Sequence, residues 1–164
     1  FAAAASMARE AVTAVRGKAC RASEKTFFCG CADYRMTQAS NADPEAKAFP
    51  EYMGARFGAK FAVCSKDPDE KEIAELVKCA DGAGNIIFSS CNAHLFRGQL
   101  ALAAALAEKG VPMTVAALRN PYDLPLMPEN AALFAAFDYS RDSLAALADV
   151  FSGGDCCGVM PAAL

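Results

Sequence analysis

Short apolar strands alternating with helical stretches predict an α/β chain. The expected form is a three-layer α/β/α sandwich around a mainly parallel sheet, flavodoxin-like, with a short C-terminal edge strand. Three observations carry that expectation. Apolar runs and helical patterns alternate along nearly the whole sequence. The run Thr114-Val115-Ala116-Ala117-Leu118 is apolar throughout, as a strand covered on both faces should be. Between strand candidates stand two helix-start signals, Asp43-Pro44-Glu45 and Asp67-Pro68-Asp69-Glu70.

In chain order, residues 2–16 are Ala-rich and read as a helix closed by Gly17, with no N-cap and so continuing from an upstream segment. Thr26-Phe27-Phe28-Cys29 is the first strand expected. Asp43 caps a helix that runs to about Gly54, and Phe61-Ala62-Val63-Cys64 follows as a strand. Asp67 is read as the next N-cap, with Pro68 at the first helical position and Ile73, Leu76, Val77 and Ala80 on one face. Asp81-Gly82-Ala83-Gly84-Asn85 turns into the strand Ile86-Ile87-Phe88. Leu95, Leu102 and Leu106 line the inner side of a helix ended by Gly110. The strands 114–118 and 133–137 come next, then a helix capped by Ser140 or Asp142 with Leu144, Leu147, Ala148 and Phe151 inward. Residues 159–164 read as the edge strand, since Pro161 is tolerated only at an edge.

The 164 residues fit one domain, 1–164, large enough to bury about 70% of its unfolded surface. With 54% hydrophobic and 21% charged residues, the composition excludes disorder. A net charge of −3 and no basic cluster exclude a nucleic-acid footprint. The apolar run Ala101 to Ala107 is far short of the ~20 residues that span a bilayer, so no membrane partner is expected. No leader pattern is seen, which says little in a chain opening at Phe1 without a methionine.

The eight cysteines include no Cys-x-x-Cys, and there is a single histidine, so no metal site is expected. Core thiols are the simpler reading, favouring a reducing, cytoplasmic compartment. Nor is a cofactor expected. Gly30-Cys31-Ala32-Asp33 has one glycine, and Asp81-Gly82-Ala83-Gly84 precedes a strand, so neither cradles a phosphate at a helix N-terminus. Cys91 and His94 are close in sequence and would suit a thiol enzyme if they touched. A core thiol beside a surface imidazole is the commoner arrangement. Asp33, Asp123 and Asp138 each follow a strand, the placement a carboxylate pair would need, although turn-capping is the usual task of such aspartates. No catalytic residue is assigned. The segment Arg119-Asn120-Pro121-Tyr122-Asp123 lies where open α/β sheets hold their ligands, past a strand's carboxyl end. Arg119, Asn120, Tyr122 and Asp123 are therefore the substrate- or interface-facing candidates, in a loop expected to project past the sheet and be partly exposed.

A strand ending in Ala-Leu-Arg-Asn-Pro-Tyr-Asp-Leu (117–124), then Ala-Ala-Phe-Asp-Tyr-Ser (135–140) and an Ala/Leu helix, resembles the C-terminal domain of glycoside hydrolase family 3. The nearest branch is the β-N-acetylhexosaminidases. Asn92-Ala93 with Gln99 is similar to a stretch after that domain's third strand, and Gly110-Val111-Pro112-Met113-Thr114-Val115 to its approach to the fourth. Ala11-Val12-Thr13 is similar to its entry helix. The tail Gly158-Val159-Met160-Pro161 lacks the lysine of the closing motif. The resemblance implies an accessory domain of a sugar hydrolase. Its partners would be an N-terminal (β/α)8 barrel of the same polypeptide and a carbohydrate substrate. The barrel, which carries the family's nucleophilic aspartate, is absent from these residues, so the chain alone should be inactive. The other reading is a free-standing flavodoxin-like module for a small ligand.

Overall fold

The computed structural model describes residues 2–32 and 47–160. Its elements are α1 (Ala2–Ala11), β1 (Thr13–Arg16), β2 (Thr26–Cys31), α2 (Phe49–Phe57), β3 (Lys60–Cys64), α3 (Glu70–Cys79), β4 (Asn85–Ser90), α4 (Arg97–Ala107), β5 (Met113–Ala117), a 3-10 turn (Pro121–Leu126), β6 (Ala132–Ala135) and α5 (Arg141–Phe151). The strands form one sheet in the order β1-β6-β5-β4-β2-β3. All neighbours are parallel except β1, which runs antiparallel to β6. Helices cover both faces, so the chain is a three-layer α/β/α sandwich.

Side-chain alternation along each strand builds the two halves of the core. Phe27, Cys29, Ile86, Phe88, Met113, Val115 and Leu133 face α3 and α4, meeting Leu76, Leu102 and Leu106. Phe28, Ile87, Ala116 and Phe134 face the other way, onto Phe49, Met53, Leu144, Leu147 and Phe151 of α2 and α5. Phe28 meets Phe49 edge-on at 6.3 Å and stacks on Phe57 at 5.7 Å. Each such ring contributes about 2–3 kcal/mol by leaving water.

Five sequence expectations change. Residues 13–16 are a strand, because pairing with β6 satisfies their backbone where Thr13 and Val15 have weak helical preference. The sheet edge beyond β6 is thereby taken. The described end of the tail forms no strand: Gly158 N–H donates to the Val12 carbonyl, and residues 161–164 lie outside the described residues. The helix before β3 begins at Phe49, where Glu51 accepts from the Ala48 N–H, and ends at Gly58 in the left-handed conformation; Asp43 and its signal lie outside the described residues. Asp69, not Asp67, caps α3, accepting from the Glu72 N–H at 2.8 Å. Leu95 also precedes α4 instead of lining it and is 58% exposed.

Candidate functional site

The central strands β4 and β5 end side by side, and the loops leaving them meet at the sheet's carboxyl edge. The β4 loop turns at once, with Asn92 at φ 55°, a left-handed position that Asn tolerates. Its carbonyl then accepts from Leu95 and Phe96, closing the turn before α4. Gln99, fully buried in α4, ties the loop down by accepting from the Cys91 N–H and donating to the Cys91 and Lys66 carbonyls. The β5 loop enters the 3-10 turn at Asn120, with Pro121 at its first position and Leu124 buried as its anchor.

These two loops are joined by paired polar contacts. Asp123 is fully buried, and its Oδ1 accepts the His94 backbone N–H at 2.9 Å and faces His94 Nδ1 at 2.7 Å. A carboxylate can only accept, so Nδ1 is the donor of this contact. Oδ2 of Asp123 is buried and takes no hydrogen bond from the described residues. Beside it, Asn120 Nδ2 donates to Asn92 Oδ1 at 2.7 Å. Tyr122 is 63% exposed and sets its ring edge-on to the His94 imidazole at 6.2 Å. Arg119 lies over the Tyr139 ring at 5.5 Å, with Nη1 buried and unpaired among the described residues. Around this cluster Leu95, Tyr122 and Leu126 present apolar surface to solvent.

The candidate residues therefore divide. Tyr122 is exposed and Arg119 and Asn120 are half-buried, whereas Asp123 and Leu124 turn inward instead of projecting past the sheet. Asp123 locks a loop 29 residues away in sequence, not its own turn. Asp138 stands apart, accepting from Ser143 Oγ at the start of α5. Partial burial raises its carboxyl, but hydrogen bonds from Ser140, the Tyr139 backbone and Ser143 outweigh that and hold it below the ordinary 3.8. Asp33 lies outside the described residues.

Cys91 is 1% exposed while the Nδ1 of His94 is turned to Asp123, an arrangement that offers no reachable thiolate beside a base. Reading by residue missed His94 and Asn92 as partners of Asp123 and Asn120. The available signal was that both follow a central strand directly, next to the strand that leads into residues 119–123.

Among the described residues no three His, Cys, Asp or Glu side chains cluster to hold a metal, and no helix is long and apolar enough to cross a membrane. A shallow cavity of about 320 Å³ lies at the opposite edge, lined by Arg16, Lys18, Cys20, Met113, Glu129 and Ala132 among others.

No family model and no curated protein matches the chain. Solved structures do. A glycoside hydrolase family 3 β-N-acetylglucosaminidase from Paenibacillus sp. str. FPU-7 superposes with a TM-score of 0.76 and 23% identity, over 91% of this chain and 29% of that one. A fungal multi-domain enzyme of the same family and activity gives a TM-score of 0.64 at 16% identity, over 96% of this chain and 19% of its own. A β-glucosidase from Listeria innocua, in complex with isofagomine, gives 0.67 at 12%, over 92% and 25%. The chain thus has the fold of one domain of these glycosidases and spans less than a third of their length.

Proposed function

We propose that this chain is the accessory C-terminal domain of a family 3 glycoside hydrolase, of β-N-acetylhexosaminidase or β-glucosidase type. In this reading it packs on an N-terminal (β/α)8 barrel of the same polypeptide, and Arg119, Asn120, Tyr122 and Asp123 stand at the rim of the barrel's carbohydrate cleft. The observation that carries it is coverage: more than nine-tenths of the chain superposes on less than a third of each glycosidase. The carboxyl edge supports it too, since Leu95, Tyr122 and Leu126 leave apolar area there that a neighbouring domain would cover.

The coding sequence upstream of Phe1 tests this reading. A (β/α)8-barrel pattern there is the expected result, and its absence favours a free-standing module. The chain alone should release no nitrophenol from nitrophenyl N-acetyl-β-glucosaminide. Turnover lost on Asp123→Asn or Asp138→Asn would overturn the accessory role.

A further inference from the structure

We propose that the outer edge of β3 is a self-association surface, on which β3 of a second copy of this chain pairs antiparallel to give one continuous sheet. β3 ends the sheet, and among the described residues it pairs only with β2. A strand bonded on one side keeps a row of backbone donors and acceptors on the other, a template for a further strand. Its side chains are open as well: Phe61 is 45% and Val63 38% exposed, and Lys60 is exposed.

The occupant follows from what the two faces of β3 carry. Phe61 lies against Gly54 of α2, and strand alternation puts Val63 on that face. Ala62 and Cys64 pack into the other half of the core, with Leu76 of α3, so Lys60 stands on the α3 face. An antiparallel pair with its twofold axis at Ala62 sets Phe61 opposite Val63 of the second copy, and Val63 opposite Phe61. Each is an aromatic against a β-branched side chain, a favourable cross-strand combination. On the α3 face, Lys60 comes opposite Cys64. Immediately past Cys64, the Ser65 N–H and Oγ donate to Glu72, which holds that carboxylate at the exposed end of the strand. The twofold axis runs perpendicular to the sheet and keeps both α3 faces on one side, so each Lys60 arrives beside the other copy's Glu72. Parallel pairing in register would set Lys60 against Lys60. Apolar and charge complementarity therefore select the same antiparallel register.

Pairing through one 5-residue strand is at the small end of specific interfaces, so a dissociation constant on the order of 100 µM is expected. Sedimentation equilibrium from about 5 µM to about 1 mM should show the average mass rising from 17.2 kDa toward that of a dimer. Val63→Lys should weaken association by about tenfold or more, and Lys60→Glu by roughly threefold to tenfold. Both side chains are exposed, so Tm should hold. Adding Glu72→Lys to Lys60→Glu should recover the loss, and no recovery in a folded double variant overturns the register. A chain monomeric to about 1 mM, or a dimer indifferent to both single substitutions, overturns the surface. A dimer lost on Leu126→Lys instead seats the second copy on the carboxyl edge and overturns it too. Growth beyond a dimer overturns the closed twofold pair. Each outcome reads the same whether or not a barrel is encoded upstream, so this proposal and the accessory role fail separately.

Discussion

Asp123 and Asn92 are the two residues on which the carboxyl-edge cluster turns. Asp123 satisfies donors on another loop, and its deletion would leave the His94 N–H and Nδ1 without their acceptor. Asp123→Ala should therefore cost about 1–3 kcal/mol in urea unfolding, because partly buried donors left without their acceptor lose more than a bond is worth. Arg119→Ala, which removes a half-exposed side chain over Tyr139, should cost under about 1 kcal/mol. Asn92 has a double role, a side-chain bond to Asn120 and a left-handed backbone. Asn92→Gly and Asn92→Ala both lose the bond, but only alanine is strained at φ 55°. Alanine should be the less stable of the two by roughly 1 kcal/mol. Equal stabilities would mean that the loop relaxes out of that conformation.

At the scale of elements, α4 is capped from outside its own sequence. Phe96 at its N-cap has no side-chain oxygen, and Asp67 supplies one from the loop before α3, accepting from the Gly98 N–H at 2.7 Å. That approach requires glycine: a Cβ at position 98 would overlap the Pro68 carbonyl oxygen. Gly→Ala inside a helix normally stabilises by about 1 kcal/mol, yet Gly98→Ala should destabilise, and thermal unfolding would read the sign. The start of α5 adds a pH dependence. Asp138 has a folded pKa below its ordinary 3.8, so its stabilisation is complete above that value and is lost as pH falls through the lower folded value. Asp138→Asn should lie below the wild type in stability near neutral pH. The difference should shrink below about pH 4.

Over the whole molecule, burial sorts the thiols. Cys29, Cys31, Cys64 and Cys91 are buried, Cys20, Cys79 and Cys156 half-buried, and Cys157 exposed. The neighbouring Cys29 thiol and burial both push the Cys64 thiol up, away from the reactive thiolate. Native protein should react first at Cys157, and the four buried thiols should label only at the rate of unfolding. In denaturant all eight should titrate. Early labelling of Cys29 or Cys64 would show that the β2–β3 edge opens locally. Fewer than eight thiols in denaturant would reveal a disulfide.

Patterns that depend on chain-local physics were legible without coordinates. The continuous apolar run at 114–118 and the Pro after it placed a buried strand and the loop at its carboxyl end. Ser140 was legible as a cap because capping acts over three residues, and its Oγ does accept from the Ser143 N–H. Three features were decided only in three dimensions. Residues 13–16 became a strand because β6 offered an unpaired edge, and a pairing such as Thr13 with Ala135, so distant in sequence, leaves no local signal. Asp67 gave up its own helix because the N-terminus of α4 lies close enough to take its carboxylate. His94 and Asp123 met because β4 and β5 are neighbours in the sheet. Strand order, which no single segment encodes, brought the imidazole and its carboxylate within hydrogen-bond reach.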